Sequence, residues 1–251
     1  MTSNNERSKR FQSKESLVYY GVQELLDSEG GLPRYNRDVV NKMRSGMFIK
    51  DETNFKILEF GAGTGSLAEI WRSSFGIVPV CVEIDPSLIL FLRKRGFETH
   101  SSISSVNTLF DYVYTSNVLE HIEDEVSTLR EIKTIMKKGA VIAIYVPALP
   151  FLFSDFDFRV GHFRRYSKVE LTNRVQEAGF LVTSCTYNDS LGVFASLATK
   201  IMGYKNKLGL GTEKSMKLYD LLIYPLSKIL DRIVFKNLIG KNLLLIATVE
   251  D

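Results

Sequence analysis

The chain has 251 residues, of which 45% are hydrophobic and 24% are charged. That size and composition are typical of one globular α/β domain with a substantial core. The net charge of +3 is too small to indicate a nucleic-acid partner. Two cysteines in apolar strand-like runs, Cys81 and Cys185, indicate reduced core thiols rather than a disulfide or a metal pair.

The N-terminal part predicts a short tail followed by two helices. Residues 1–14 are polar, carry no signal-peptide pattern and are expected to be disordered. Apolar residues recur at helical spacing over 15–28 and 34–47, and the Gly-Gly-Leu-Pro run at 30–33 is expected to break the helix between them. Together they form a helical cap over 15–50. Because no apolar stretch reaches about 18 residues, no spanning helix is expected, and the protein is predicted to be cytoplasmic.

From residue 51 to residue 187, apolar runs of strand length alternate with helical patterns. Alternation of this kind predicts a parallel sheet with right-handed crossovers. Pro86 and Gly96 mark the start and the end of one helix, and Gly139 is expected to end another. The strands are predicted at 56–60, 78–84, 97–100, 110–115, 140–146 and 180–187, with a last strand in 242–251, and the helices at 65–74, 86–95, 124–136 and 167–178. All belong to a single domain over 15–251.

The first strand of this core leads into a turn with three alternating glycines, Gly-Ala-Gly-Thr-Gly at 61–65, and then into a helix. Strand, glycine turn and helix are typical of a nucleotide site at the carboxyl end of a parallel sheet. The dinucleotide fingerprint is not met, because Ser66 stands where its third glycine belongs. The second strand ends in Glu83, whose carboxylate can accept both hydroxyls of a ribose. The pattern therefore predicts a site for an adenosine with a free ribose and no phosphates.

Three runs follow one another in order: Glu-Phe-Gly-Ala-Gly-Thr-Gly at 59–65, Glu-Ile-Asp-Pro at 83–86 and Asn-Val-Leu-Glu-His-Ile at 117–122. Together they resemble the successive motifs of class I S-adenosylmethionine-dependent methyltransferases, over 57–180 of the chain. The resemblance implies a Rossmann-like seven-stranded sheet whose last strand runs antiparallel between strands five and six. It also implies the cofactor S-adenosyl-L-methionine. A Gly-His-x-Arg-Arg-Tyr run at 161–166 is similar to a small-molecule and glycan-type branch of that family.

The resemblance assigns cofactor contacts to ten residues. Glu59 would orient the methionine amino group, Glu83 would bind the ribose, and Ile84 would lie against the adenine. The family commonly has an aspartate after the third strand, but this chain has none there, so Ser101 or Ser102 is expected to bond the adenine amine. The complete set is Glu59, Gly61, Ala62, Gly63, Gly65, Glu83, Ile84, Ser101, Ser102 and Asn117.

Three residues are candidates for catalysis: His121, His162 and Tyr166. An imidazole titrates near neutrality and could take a proton from an acceptor hydroxyl. Alternatively, His121 only packs beside the cofactor, and His162 anchors the acceptor. Arg164 and Arg165 either bind an anionic group of the acceptor or pair with the aspartates of their own loop. No metal is expected, because the sequence shows no spaced cluster of ligand residues.

Residues 188–241 form a connection too long to lack structure and are predicted to be a helical insertion. Patterns at 191–202 and 216–235 indicate helices, the second amphipathic and kinked or split at Pro225. Over residues 200–241, nine lysines and arginines stand against three acidic residues. One interpretation is a lid whose apolar face covers the acceptor pocket, and the other is peripheral contact with an anionic membrane surface.

The resemblance therefore implies S-adenosylmethionine-dependent methyl transfer to a small molecule, a sugar or a lipid-linked glycan. Oxygen is the expected acceptor atom, with nitrogen or carbon as alternatives. A non-catalytic cofactor-binding or scaffold protein is one alternative. A nicotinamide-dependent oxidoreductase is another, although the glycine spacing counts against it. A nucleic-acid methyltransferase is not favoured, since Ser-Asn-Val-Leu at 116–119 replaces the Asn-Pro-Pro-Tyr type of motif.

Overall fold

The computed structural model describes residues 29–47, 55–202, 213–233 and 235–250. The predicted tail at 1–14 and the predicted helix at 15–28 lie outside these residues. The α-helices with their bounds are α1 Pro33–Arg44, α2 Ser66–Phe75, α3 Pro86–Lys94, α4 Glu125–Thr134, α5 Asp155–Arg159, α6 Lys168–Glu177, α7 Gly192–Met202, α8 Glu213–Leu218 and α9 Tyr224–Ile233. The strands are β1 Ile57–Phe60, β2 Val80–Val82, β3 Thr99–His100, β4 Phe110–Ser116, β5 Met136–Pro147, β6 Leu181–Asn188 and β7 Asn242–Thr248.

The seven strands form one sheet in the order β3-β2-β1-β4-β5-β7-β6. The strands β1 to β5 pair in parallel, whereas β7 runs antiparallel to both β5 and β6. The predicted α/β fold class and the predicted position of the last strand are thereby confirmed. Because β1 to β6 point the same way, their ends meet at one side of the sheet, which we call the carboxyl edge. The predicted bounds of the domain and its parts stay a prediction.

Several helix ends fall where local sequence signals place them. Asp85 is the N-cap of α3, and its carboxylate accepts hydrogen bonds from two backbone N–H groups of the first turn, with Pro86 following. Gly96, with φ of +82°, follows the last residues of the same helix. Ser167 caps α6, and its hydroxyl accepts a hydrogen bond from a backbone N–H at 3.1 Å. The predicted helix boundaries at Pro86 and Gly96 are confirmed.

Gly139 does not end a helix, and that prediction was wrong. The chain leaves α4 after Thr134, and Met136 already pairs with Phe110 of β4. Gly139 therefore lies inside β5, with φ of +70°. Pairing with the neighbouring strand starts β5 earlier than the apolar run alone indicates.

Gly30 and Gly31 do not break the helix that precedes α1, because residues 29–31 are helical. The break falls at Leu32, whose φ of −128° and ψ of 46° are not helical. A tertiary contact explains the glycines, since a Cβ added at Gly31 would lie 2.7 Å from the Cβ of Met216. Close approach of α8, rather than a helix stop, requires small residues here.

Each face of the sheet is covered by an apolar cluster. Alternate residues point to opposite faces, so Leu58 packs with α4 and α6, and its neighbour Ile57 packs with α1 and α2 around Trp71. Cys81 and Cys185 are both buried and unpaired, which confirms the prediction of core thiols.

The helices after β6 turn polar side chains inward. Asp231 of α9 accepts hydrogen bonds from the backbone N–H groups of Asp189 at 2.6 Å and Ser190 at 2.9 Å, directly after β6. Asp220, in a π-helical turn at Tyr219–Ile223, accepts two from the first turn of α1, at 3.0 and 2.8 Å. Carboxylates thereby tie the insertion both to the carboxyl edge and to the cap.

The apolar side chains of these helices point outward and form what we call the outer apolar face. Its members are Leu218, Leu221, Leu222, Ile223, Leu226, Ile229 and Ile233, all exposed, with Ile233 reaching 72%. The lid interpretation was wrong in this respect, because Tyr224, Ser227 and Asp231 occupy the buried side of α9. The predicted split at Pro225 is not observed, because the backbone stays helical through Tyr224, with φ of −60° and ψ of −40°. A π-helical turn lies just before the proline instead.

Candidate active site

The turn after β1 brings the backbone close to the segment after β4. Gly61, Gly63 and Gly65 have φ values of +73°, +55° and +77°, a region that residues with a Cβ rarely adopt. At Gly61 the space is closed as well, since an added Cβ would lie 2.3 Å from Cγ2 of Val118. The three glycines are therefore needed for the shape of the turn.

Glu83 lies at the end of β2, and its carboxylate holds the glycine turn. Oε2 accepts a hydrogen bond from the backbone N–H of Gly63 at 2.8 Å. Oε1 accepts two more, from Ile84 at 2.8 Å and Asp85 at 3.0 Å. The fold thus brings Glu83 beside the glycines, as predicted. It also gives Glu83 a role in positioning the turn that the sequence did not indicate.

Glu59 is a carboxylate buried inside the site, with 3% of its surface exposed. It accepts a hydrogen bond from the hydroxyl of Tyr114 on β4 at 2.8 Å. Burial raises the pKa of Glu59 from its ordinary value of 4.5 to about 8, against the effect of that hydrogen bond and of one from the Ala68 backbone. The nearby charge of Glu83 acts in the same direction as burial. A cation placed beside Glu59 would therefore be strongly favoured.

The residues predicted to meet the adenine lie at the ends of β2 and β3. Ile84 is an apolar side chain with 85% of its surface exposed. The ends of β2 and β3 are joined by a hydrogen bond from the backbone N–H of Glu83 to the carbonyl of His100, at 3.0 Å. Ser101 is exposed, and the hydroxyl of Ser102 is hydrogen-bonded to a neighbouring serine. The structure therefore places all of them side by side.

Backbone strain is concentrated at the carboxyl edge. The residues other than glycine with positive φ in the described ranges are Asn117 at +53°, Leu149 at +64° and Asp189 at +62°. They follow the ends of β4, β5 and β6. Such conformations cost free energy and cluster at functional sites. Asn117 is anchored there by a backbone hydrogen bond to the carbonyl of Tyr145, at 2.8 Å.

The two candidate histidines meet although they are distant in sequence. The backbone N–H of Phe163 donates to the carbonyl of Glu120 at 2.7 Å, which joins the loop after α5 to the segment after β4. The rings of His121 and His162 consequently lie edge to face, with centroids 4.5 Å apart. Burial lowers the pKa of His121 to about 4, helped by nearby His162 and opposed by a hydrogen bond to the Gly161 backbone. His121 is therefore uncharged at neutral pH.

His162 is oriented by a buried carboxylate. Its Nδ1 lies 3.0 Å from Oδ1 of Asp157, which also accepts from Nε of Arg165 at 2.8 Å. The other carboxylate oxygen accepts two hydrogen bonds from Ser154, both at 2.9 Å. Burial alone would raise the pKa of Asp157, but these donors hold it at about 2. A permanently ionised Asp157 thus fixes the ring of His162.

The arginines of this loop are occupied by the protein itself. Arg165 pairs with Asp157, as one of the two interpretations predicts, and Arg164 pairs with Glu125 rather than with Asp155. Tyr166 is fully buried, and burial raises its pKa above the ordinary value. Its hydroxyl is not accessible to a molecule that receives the methyl group, so the geometry does not support a direct catalytic role for Tyr166.

A family model described as a methyltransferase domain matches residues 29–184, which is more than half of the chain. The chain belongs to this methyltransferase family. No curated protein has a sequence that matches this chain.

Solved structures share its fold. A chain from the complex between the Haloferax volcanii Trm112 methyltransferase activator and a methyltransferase is 14% identical, with a TM-score of 0.63 and coverage of 95% of this chain and 100% of that one. A Thermotoga maritima S-adenosylmethionine-dependent methyltransferase is 15% identical, with a TM-score of 0.58 and coverage of 92% and 97%. Haemonchus contortus phosphoethanolamine N-methyltransferase 2, in complex with S-adenosyl-L-methionine, is 16% identical, with a TM-score of 0.55 and coverage of 85% and 52%. At these identities the likeness establishes the fold alone.

S-adenosylmethionine is the cofactor of this methyltransferase, and the site fits it on two observations. The first is Glu59, a buried carboxylate that a cation would stabilise, because the cofactor carries an ammonium and a sulfonium. The second is the pair at the end of β2, where the exposed apolar side chain of Ile84 stands next to the carboxylate of Glu83. An apolar surface beside a hydrogen-bond acceptor matches an adenine beside a ribose.

The methyltransferase also brings together residues that the sequence did not connect. Glu120 has no exposed surface, and in the described part of the chain no residue other than Glu120 itself, through its backbone N–H, is hydrogen-bonded to its carboxylate. Burial raises its pKa to about 8. One ligand atom each from Glu120, His121 and His162 lie within 4.8 Å of one another. The sequence shows no spaced cluster of ligand residues because a distant loop completes this set, and the expectation that no metal is bound stays a prediction. Asp157, five residues before His162, is the signal that sequence reasoning passed over.

Proposed function

We propose that the methyltransferase acts on an oxygen atom of a small molecule, a sugar or a lipid-linked glycan. The observation that carries this proposal is the pair of His162 and the buried Asp157, joined at 3.0 Å at the carboxyl edge. A hydroxyl is protonated at neutral pH and gains from a base as the methyl group arrives, whereas a neutral amine already has a free electron pair. A fixed imidazole therefore favours an oxygen acceptor.

The cofactor supplies an already activated methyl group, so the main task of the protein is positioning. We infer that Glu59 holds the methionine ammonium, Glu83 the ribose, and Ile84 the adenine, with Ser101 or Ser102 at the adenine amine. The remaining contacts come from Gly61, Ala62, Gly63, Gly65 and Asn117. These residues stand at the ends of β1 to β4, which are neighbours in the sheet.

In this proposal Nε2 of His162 takes the proton of the acceptor hydroxyl. Asp157 holds Nδ1 and so keeps the ring in one orientation. His121 is uncharged and packs edge to face against that ring, so it limits ring motion and excludes water. Tyr166 supports the same loop from the buried side, where its backbone N–H donates to the carbonyl of Pro147 at 2.9 Å.

Calorimetric titration with S-adenosylmethionine and S-adenosylhomocysteine, with NAD as control, tests the cofactor contacts. Turnover is then followed as S-adenosylhomocysteine release with matched panels of hydroxyl and amine acceptors. His162→Ala should keep cofactor binding and lose turnover about 100-fold or more. His100→Ala replaces the histidine outside the cluster and should leave turnover unchanged. Transfer to amines alone, or full turnover by His162→Ala, would contradict the proposal.

We further infer that residues 188–241 touch an anionic membrane surface peripherally, from the cytoplasm. The outer apolar face is flanked by the exposed cations Lys214, Lys217, Lys228 and Arg232. An exposed apolar stripe beside cations fits the boundary of an anionic lipid layer. Among the described helices none is long and apolar enough to cross a bilayer. A lipid-linked acceptor would then be met at the surface where it resides.

Co-sedimentation with phosphatidylglycerol vesicles, compared with neutral phosphatidylcholine vesicles, tests the membrane contact. Leu222→Glu and Ile229→Glu alter side chains that are more than half exposed, so they should abolish binding without unfolding the protein. Leu90→Glu on α3 is an equally exposed control that should bind normally. If the vesicles stay unbound while the outer apolar face mediates dimerisation, a second copy is the partner and the membrane proposal fails.

A further inference from the structure

The segment after β4 and the loop after α5 place three ligand-type side chains around one point. Glu120 and His121 lie in a short 3-10 turn at Leu119–His121, and His162 comes from the loop. One donor atom of each lies within 4.8 Å of the others, and Oε1 of Glu120 is 3.9 Å from Nε2 of His162. Two imidazoles and one carboxylate form a donor set that divalent transition metals prefer.

The second coordination shell is already in place. Metal-bound histidines usually donate their other ring N–H to a carboxylate or a carbonyl, which leaves the remaining nitrogen free to bind the ion. His162 has this arrangement, with Nδ1 on Asp157 at 3.0 Å and Nε2 towards Glu120. His121 has its own backbone partner, at Gly161. Both rings are therefore oriented before any ion arrives.

Glu120 supplies an independent argument. It is fully buried, and apart from its own backbone N–H no residue that the structure describes is hydrogen-bonded to its carboxylate. Buried polar groups without a partner are uncommon in native proteins, and an absent ion or water is one explanation for them. The charge of Arg165 acts on Glu120, but the guanidinium donates through Nε to Asp157, and its buried Nη1 has no partner among the described residues. An ion between Glu120 and the two imidazoles would satisfy the carboxylate.

We propose that Glu120, His121 and His162 bind one divalent transition-metal ion, such as Zn²⁺, Co²⁺ or Mn²⁺. Ligand atoms bound at about 2.1 Å to one ion lie about 3–3.5 Å apart, so the side chains close by roughly 1 Å on binding. The mixed nitrogen and oxygen set disfavours Mg²⁺ and Ca²⁺, which prefer oxygen ligands. Three protein ligands leave at least one position open to water or to an acceptor.

The open position suggests what the ion does. A hydroxyl that binds a divalent ion releases its proton to solvent more readily, so the ion would replace His162 as the means of deprotonating the acceptor. This catalytic role rests on the proposed O-methylation, whereas ion binding itself does not. The two can therefore be tested apart.

The first experiment is titration of chelator-treated full-length protein with Co²⁺, followed by visible absorption and then by displacement with Zn²⁺. The expected result is one Co²⁺ per chain. Glu120→Gln keeps the size of the side chain and should weaken binding by more than 100-fold, and Asp157→Asn by about 10–100-fold. His100→Ala removes the histidine that pairs with Glu98 at 2.9 Å and should bind the ion normally. Circular dichroism confirms that each variant is folded, and His121→Ala replaces any variant that is not.

Absence of saturable Co²⁺ binding, or equal binding by the wild type and Glu120→Gln, overturns the metal site. S-adenosylmethionine affinity measured on the same metal-free preparations separates this from the proposed function. If the cofactor binds normally but no metal binds, only the metal proposal is rejected. If the protein binds the metal but transfers methyl groups to amines alone, the metal site is supported and the proposed oxygen acceptor is rejected.

Discussion

The buried carboxylate of Glu59 makes the stability of the cofactor-free protein depend on pH. Its pKa is about 8 in the folded chain and 4.5 ordinarily, so the folded state favours the protonated form. An acid whose pKa is raised by folding stabilises the folded state fully below its ordinary pKa, here 4.5. That stabilisation is lost as the pH rises through the pKa in the folded chain, here about 8. We therefore expect stability to fall between about pH 4.5 and pH 8, and Glu59→Gln, which cannot ionise, should remove this fall.

The size of the effect follows from the two values. One pKa unit corresponds to about 1.4 kcal/mol, so a shift of roughly 3.5 units amounts to about 4–5 kcal/mol in total, of which about 3 kcal/mol is lost by pH 7. The glutamine oxygen can still accept the hydrogen bond from the Tyr114 hydroxyl. The Ala68 backbone N–H is a second donor to the Glu59 carboxylate, and in Glu59→Gln it must share the single amide oxygen with Tyr114. Weakening of this hydrogen bond should lower stability by about 1 kcal/mol. The variant should thus be slightly less stable than the wild type at acidic pH and clearly more stable at alkaline pH.

Urea unfolding across this pH range measures the difference directly. Glu131→Gln on α4 is the control, because it removes an exposed carboxylate from the same protein. Parallel stability curves for the wild type and Glu59→Gln would refute the reasoning. A second readout concerns the cofactor: if its ammonium meets Glu59, binding near pH 7 should release a proton from the wild type but not from the variant. Calorimetry in two buffers of different ionisation enthalpy detects that proton.

Three further changes give separate outcomes. In urea unfolding, Gly61→Ala should lower stability by about 1–2 kcal/mol because of its positive φ, and by more because the new Cβ meets Val118. Gly76→Ala is the control: Gly76 also has a positive φ, of +68°, but nothing lies within 4 Å, so only the loss of about 1–2 kcal/mol is expected. Glu83→Ala should weaken cofactor binding by about 1–3 kcal/mol in calorimetry, and unchanged affinity would remove it from the site. Asp231→Ala leaves two buried N–H groups unpaired and should lower thermal stability by about 2–4 kcal/mol, while an unaltered melting temperature would show that water replaces the carboxylate.

Much of the fold could be predicted because its signals are local. The glycine turn, Pro86, Gly96 and Ser167 each act on the few residues around them. The placement of Glu59 and Glu83 side by side could be anticipated as well, since both stand at ends of neighbouring parallel strands. The hydrogen bond from Gly63 to Glu83 could not. Gly139 does not end a helix, because strand pairing, a long-range interaction, decides where β5 begins.

The remaining features depend on contacts that no local pattern contains. An amphipathic pattern over α9 identifies two faces but not which of them points inward, and here the carboxylate of Asp231 finds backbone donors after β6. The meeting of His121 with His162 depends on one backbone hydrogen bond between distant segments, from Phe163 to Glu120. Periodicity and spacing cannot show either arrangement.

The position of β7 has a consequence for how the chain is synthesised and assembled. β7 is made after β6 but lies between β5 and β6 in the sheet, and among the strands that the structure describes it alone pairs with β6. Until residues 242–248 leave the ribosome, the apolar β5 therefore has an open edge and β6 has nothing to pair with. Open apolar edges promote association between chains, so nascent or truncated forms should need chaperones until this last strand closes the sheet.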